Sequence, residues 1–314
     1  MTLLYTDPIF LRHETGKHPE RAERLVQITR QLQRTGLDEQ CTRPTWQPVS
    51  SERLSRVHSL DYAASVQDFA RGGGGRIEED TVVSANSAAA ALHAAGAVCD
   101  GVERVVRGED RSALCLVRPP GHHALPQAAM GFCLFNSIAI GARLATAEFR
   151  LDRVLIVDWD VHHGNGTQDT FWRDGQVGFF SIHRWPFYPG TGTSQETGAG
   201  PGLGTTLNLP VEYDTPRKDF LALFTRELAA FADRLRPQLV LISAGFDAHR
   251  DDPIGSLGLE TEDFGELTRT VLQIARQHCG GRIVSVLEGG YNTGILAGCV
   301  ELHLRELLAA AGGE

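Results

Sequence analysis

The sequence has no C-x-x-C pair; its six cysteines, Cys41, Cys99, Cys115, Cys133, Cys279 and Cys299, stand apart and mostly in apolar surroundings. This pattern argues against a disulfide framework and fits reduced thiols in a cytoplasmic protein. No stretch approaches the ~18 uncharged apolar residues of a membrane-spanning helix. Met1 to Phe10 also lack a basic segment followed by a long apolar run. Neither membrane insertion nor secretion is expected, and the location expected is the cytoplasm. Positive charge is in short supply as well. Against 39 Asp and Glu there are 30 Lys and Arg, a net charge of −9 with no long block of one sign. A nucleic-acid-binding surface would need a basic excess, so direct contact with DNA or RNA is not expected.

What remains is ordinary for a globular chain: 314 residues, 42% hydrophobic and 22% charged, enough for a large buried core. Four short apolar runs, Ala113–Val117, Val154–Val157, Leu239–Ile242 and Ile283–Leu287, are rich in β-branched residues or leucine. They are too short for helices and suit strands buried on both faces of a parallel sheet. Between them lie helical patterns. From Pro216 to Arg236, residues Phe220, Phe224, Leu228, Phe231 and Leu235 recur at three- and four-residue spacing, with Pro216 suited to a first turn and Pro237 to a stop. Phe264, Leu267, Val271 and Ile274 mark a second helix, and an alanine-rich helix is expected over Ser87 to Val106. Strands alternating with helices imply one α/β domain over residues 1–314, a doubly wound, mostly parallel sheet with helices on both faces. Two glycine-rich stretches, Gly72–Gly75 and Gly190–Gly204, are candidates for loops bordering a site.

Polar clusters follow the four runs directly. R-P-P-G-H-H (118–123), D-W-D-V-H-H-G-N-G (158–166), A-G-F-D-A-H (244–249) and E-G-G-Y-N (288–292) each begin where a strand should end. In open α/β sheets ligands bind beyond the carboxyl ends of the strands, so four clusters would meet in one crevice. At an extended strand end, Asp160 and His162 would point to the same side. Asp247 can add a second carboxylate, and two aspartates with one histidine leave a coordination position open, as catalytic zinc requires. The bland alternative is that Asp160 and His162 only make hydrogen bonds at a strand end. His122 and His123 suit proton transfer, with core histidines as the structural alternative. Tyr291, after two glycines, could place a phenol over a developing oxyanion, though such a tyrosine also packs well.

These motifs, together with G-F-C-L-F-N (131–136), H-P-E-R (18–21) and D-T-V-V-S (80–84), resemble the signatures of the histone deacetylase superfamily, in the same order. Asn165 and Glu288 resemble its class II and bacterial branch. The resemblance implies an arginase/deacetylase-like fold and a zinc ion held by Asp160, His162 and Asp247, with iron(II) as an alternative occupant. It implies Tyr291 as the catalytic tyrosine, His122 oriented by Asp158 and His123 by Asn165. An amide partner favours imidazolium less than a carboxylate does, which makes His123 the expected base. Phe132 with Gly131, Tyr188 and Gly289 would line a narrow channel for a lysine-like chain. Structural potassium is implied at Asp158, Asp160, His162, Ser181 and Ile182, and a second potassium at Phe171, Asp174 and Val177.

The expected reaction is therefore hydrolysis of an acetylated amine. N-acetyl-lysine in proteins or peptides and small acetylated amines such as polyamines both remain open as substrates, and so does a homo-oligomeric state. Glu78, Glu79 and Asp80 could form an acidic rim, whereas the polyamine-specific relatives place a glutamate where this chain has Ile254. A two-manganese arginase-like ureohydrolase would need further bridging aspartates, but His163-Gly164 follow His162 and Ala248-His249 follow Asp247. A non-catalytic binding module would be expected to lack a ligand or the tyrosine, and none is missing.

Overall fold

Apolar runs of four to eight residues become strands where helices cover both faces of a sheet. The computed structural model describes residues 1–312. Its strands are β1 (Thr2–Tyr5), β2 (Cys41–Thr42), β3 (Gly75–Glu78), β4 (Thr81–Val83), β5 (Ser112–Cys115), β6 (Val154–Asp158), β7 (Val177–Arg184), β8 (Thr206–Val211), β9 (Leu239–Ala244) and β10 (Ile283–Leu287). The α-helices are α1 (Glu23–Thr35), α2 (Ser51–Leu54), α3 (Leu60–Arg71), α4 (Ser87–Arg107), α5 (Ser137–Ala147), α6 (Asn165–Phe171), α7 (Arg217–Leu235), α8 (Thr261–Cys279) and α9 (Thr293–Gly312).

Eight strands form one sheet in the order β2-β1-β5-β10-β9-β6-β7-β8, with every neighbouring pair parallel. Among the described residues, only β3 and β4 stand apart, as a small antiparallel hairpin. All residues of β5, β6, β9 and β10 are buried, so these four strands form the apolar centre of the sheet. They are also consecutive in the sheet order, and they are the strands that precede the four polar clusters. That adjacency is what turns four motifs into one site.

The expected helices are present with small shifts. The helix drawn from Pro216 becomes α7, in which Pro216 is not in the first turn but is the N-cap, with ψ at 136°. An extended ψ cannot continue a helix, so the first helical residue is Arg217. Arg236 closes α7 in the left-handed conformation just before Pro237. The first expected strand ends early, at Cys115, although the Leu116 N–H still donates to Tyr5 O at 3.0 Å. β7 and β8 were not evident in the sequence. β7 mixes Gly178, Ser181 and His183 into an apolar run, and β8 holds Pro210, which an edge strand tolerates. Among the described residues, no helix is long and apolar enough to cross a membrane.

Candidate active site

β6 ends at Asp158, and residues 160–162 follow in a bend rather than along an extended strand. Asp160 and His162 therefore do not meet through the alternation of a pleat. Instead, Asp158 Oδ1 accepts the Asp160 N–H at 3.1 Å and Asp160 Oδ1 accepts the His162 N–H at 2.9 Å. Two successive side-chain-to-backbone turns curl the chain so that both side chains face inward. Asp247, three residues beyond β9, joins them from the neighbouring strand, its Oδ1 accepting the Val161 N–H at 2.9 Å.

The donor atoms of Asp160, His162 and Asp247 lie within 4.8 Å of one another, and all three residues are buried. Among the described residues this is the one group of three or more such side chains close enough to hold a metal ion. Its chemistry fits a cation. Asp247 Oδ2 is buried with no hydrogen bond, although His162 Nδ1 sits 3.2 Å away. Burial, reinforced by the neighbouring Asp160 carboxylate, pushes the Asp247 carboxyl up to about 7. Burial would push His162 down, but the Asp160 carboxylate bonded at its Nδ1 and the Asp247 carboxylate facing the same nitrogen outweigh it and raise the imidazole to about 9. Crowded carboxylates that must borrow a proton in this way are the state a divalent cation relieves. The floor of the site is Gly289, whose N–H donates to Asp160 Oδ2 at 2.8 Å. A Cβ there would collide with the Asp247 and Asp160 carboxylates, so only glycine lets the two carboxylates approach.

Beside this cluster stand the paired histidines, both buried. His122 Nδ1 donates to Asp158 Oδ2 at 2.9 Å, and His123 Nδ1 donates to Asn165 Oδ1 at 2.7 Å. The partners separate the two rings chemically. Burial opposes the charge on His122, but Asp158 and Asp160 overcome it and raise the imidazole to about 10. Burial, with His122 and His162 close by, holds His123 well below its ordinary value.

Tyr291 projects from the turn after β10. Burial, with the Asp247 carboxylate near, holds its phenol well above its ordinary value, so the hydroxyl keeps its proton. Arg24 on α1 anchors that turn: its Nε donates to Gly290 O at 2.7 Å, a second nitrogen bonds Glu288 O, and the guanidinium lies 5.1 Å from the Tyr291 ring centroid.

A cavity of about 220 Å³ leads to these groups, lined by Asp80, His123, Gly131, Phe132, His162, Phe187, Tyr188, Ile254 and Tyr291. Phe132 reaches it from a tight turn in which both Gly131 and Phe132 have positive φ, 55° and 68°. The turn is closed by paired bonds between Met130 and Cys133, and the Phe132 N–H donates to Thr81 Oγ1 at 3.1 Å. A non-glycine residue held at positive φ is strained, and the bond to Thr81 helps to hold it. Phe132 and Tyr291 meet edge to face at 5.7 Å, and Tyr188 meets His123 in the same way at 5.3 Å. Glu78 and Glu79 are exposed on the β3–β4 hairpin, while Asp80 is half-buried at the cavity.

The sequence pattern of the histone deacetylase domain matches residues 18–307. The chain belongs to the histone deacetylase family. A probable deacetylase of Archaeoglobus fulgidus is 37% identical over 286 residues, which cover 90% of this chain and 79% of the relative. The chloroplastic histone deacetylase 10 of Oryza sativa subsp. japonica is 35% identical, covering 98% of this chain and 73% of the relative. The chloroplastic histone deacetylase 14 of Arabidopsis thaliana is also 35% identical, covering 98% and 76%. The crystal structure of the HDA15 HD domain superposes with a TM-score of 0.92 at 34% identity, covering 99% of this chain and 90% of that one.

In this histone deacetylase family chain, the residues expected around potassium fall into two compact groups. Asp158 and Ser181 are register partners across β6 and β7, Ile182 follows, and Asp160 and His162 lie in the adjoining bend. Phe171, Asp174 and Val177 form one turn between α6 and β7: Phe171 O accepts the Asp174 N–H at 2.9 Å and Asp174 Oδ1 accepts the Val177 N–H at 3.0 Å. Other residues of the site carried no local signal. Phe187 stacks on the His162 ring at 5.1 Å and is itself covered by Arg184 at 4.1 Å. Glu288, at the start of the E-G-G-Y-N motif, is buried, and its Oε2 accepts the N–H groups of Gly121 and His122 at 2.7 and 3.2 Å. Arg24 and Asp252 show no sequence signal, because the bonds that bring them to the site, to Gly290 O and from the Tyr291 N–H, cross to backbone far away in sequence.

Of the two glycine-rich stretches, the second starts beside the cavity, where the Gly190 N–H donates to Phe187 O at 2.9 Å. Gly192 lies against His163 and His183, and Glu196 accepts the Gly192 and Thr193 N–H groups. The first stretch leads into β3.

Proposed function

We propose that this chain is a zinc-dependent deacetylase that hydrolyses the acetyl amide of N-acetyl-lysine in proteins or peptides. One observation carries the reading: three buried ligands with an orphaned carboxylate oxygen lie beside a low-pKa histidine and a protonated phenol, at the inner end of a narrow aromatic cavity. Three protein ligands leave room for a substrate oxygen or water, as in catalytic zinc sites; iron(II) would accept the same donors. When bound, the metal supplies Lewis-acid polarisation of a carbonyl and lowers the pKa of water toward ~7.

The protein supplies the rest. His123, neutral at physiological pH, accepts the proton of the attacking water at Nε2, because its Nδ1–H is engaged by Asn165. The Tyr291 hydroxyl donates to the oxyanion as the carbonyl carbon becomes tetrahedral. His123 then returns a proton to the departing amine. His122, kept charged by Asp158, contributes positive potential beside the developing negative charge. Phe132 and Tyr188 hold an alkyl chain and keep water out. Potassium at the first group above would brace the bend that carries Asp160 and His162, and at the second the turn that leads into β7.

Ile254 at the lip favours the lysine reading over a polyamine, because it presents no charge to a distal ammonium. The specific observation behind the second reading, a small acetylated polyamine, is Asp80 at the same cavity. A panel of acetyl-lysine peptides, acetylputrescine, acetylspermidine and longer acyl-lysines separates them. Acetyl-lysine peptides are expected to give the highest kcat/KM. Turnover confined to acetylpolyamines would replace the reading, and no amide hydrolysis at all by the zinc-loaded protein would end it. Metal counting is expected to give one ion per chain, whereas an arginase-like centre would give two.

A further inference from the structure

Asp252 lies between the ligand Asp247 and α8, and it is 7% exposed. Its carboxylate accepts four backbone N–H groups. Oδ1 takes those of Ile254 at 2.9 Å and Gly255 at 3.0 Å; Oδ2 takes those of Tyr291 at 2.6 Å and Asn292 at 3.3 Å. Two segments that never pair in the sheet are thus joined through one side chain. The first carries Ile254 at the lip of the cavity, and the second carries the phenol at its base. The same junction is reinforced by Asn292 Nδ2 donating to Asp251 O at 3.0 Å. The lip loop is tied back to the metal ligand itself, since the Ser256 N–H donates to Asp247 O at 2.7 Å.

We propose that Asp252 is a positioning residue that fixes the Tyr291 phenol and the Ile254 lip as one unit, so that the entrance and the oxyanion donor keep a constant separation. The inference rests on the role given above to Tyr291. The chemistry calls for a carboxylate. An amide has one accepting oxygen, and its N–H2 would face two N–H donors, leaving two backbone N–H groups unpaired, one of them buried in either orientation.

The experiment compares D252N, D252E and the exposed neighbour D251N, each alone and D252N also combined with Y291F. D252N is expected to lower kcat on an acetyl-lysine peptide by ~10–100-fold through a misplaced phenol, with a smaller change in KM. D252E is expected to recover part of that loss, and D251N to match the parent. In the Y291F background D252N is expected to cost less than about threefold more, because the group it positions is gone. Losses that multiply instead would overturn the proposal, as would an unchanged kcat in D252N.

Hydrogen exchange provides a readout that needs no turnover. The amides of Ile254, Gly255, Tyr291 and Asn292 are expected to exchange faster together in D252N, by about tenfold or more, while those of β9 and α8 hold. Faster exchange in one segment alone, or throughout the protein, would overturn the proposal. A parent protein inert toward every acyl-amine, but with both segments released together by D252N, would remove the hydrolase reading and uphold the coupling.

Discussion

His122 and His123 are neighbours in the chain with ring centroids 4.0 Å apart, yet one is bonded to the Asp158 carboxylate and the other to the Asn165 amide. Burial lowers both rings; the Asp158 and Asp160 carboxylates overcome it at His122, whereas the Asn165 amide oxygen favours imidazolium too weakly to do so at His123, where His122 and His162 add to the lowering.

The first prediction exchanges that partner. N165D places a second carboxylate against His123 and should raise its pKa. The ring acts as a base only when neutral, so the acid limb of kcat/KM should move to higher pH. A pH–rate profile checks this; an acid limb that stays in place would show that His123 is not the titrating base.

Metal binding should depend on pH in a defined direction. His162 is raised to about 9 by the carboxylates it faces, so below that value a cation must displace its proton. Zinc affinity is therefore expected to strengthen as pH rises from ~6 to ~8. A competition titration against a chromophoric chelator reads it, and affinity independent of pH would contradict the assignment of His162 as a ligand.

G289A tests the cradle. The added methyl group would meet the Asp247 and Asp160 carboxylates. Metal content is expected to fall well below one ion per chain while the far-ultraviolet dichroism stays that of the parent. Full occupancy in the variant would place the metal elsewhere.

Glu20 supplies a stability prediction. It is fully buried between Arg118 and Arg24, with Arg118 Nη2 at 2.7 Å and His13 Nε2 at 3.3 Å. E20A would leave two buried guanidinium groups short of their shared counter-charge and should cost ~3–5 kcal/mol in denaturant unfolding. Burial alone would raise this carboxyl, but Arg118 and His13 together outweigh burial and hold it well below 4.5. The charged form therefore contributes stability above 4.5, and that contribution fades as pH falls through the lower folded-state value. The gap between the parent and E20Q should narrow on acidification; a gap that widens would reverse the sign of the contribution.

Much of this was legible without coordinates. The four central strands announced themselves because a strand covered on both faces must be apolar throughout, and β10 was bounded to the residue. The Asp160, His162 and Asp247 cluster and the histidine pair were legible as polar motifs because each lies in the loop that follows such a strand. β7 and β8 were not, since polar residues within one and a proline in the other break the local pattern.

The sequence by itself determined which donor groups are available and that they cluster at strand ends, because side-chain chemistry and apolar periodicity are local properties. Tertiary structure decided that β5, β10, β9 and β6 stand side by side, and so which loops share a crevice. It also decided that Asp160 and His162 meet through a bend, that Arg24 holds the turn before Tyr291, and that Asp252 ties that turn to the lip. The bonds of Arg24 and Asp252 reach backbone 266 and 39 residues away. Backbone N–H and C=O groups are the same at every position, so no sequence pattern marks which of them a distant side chain will find.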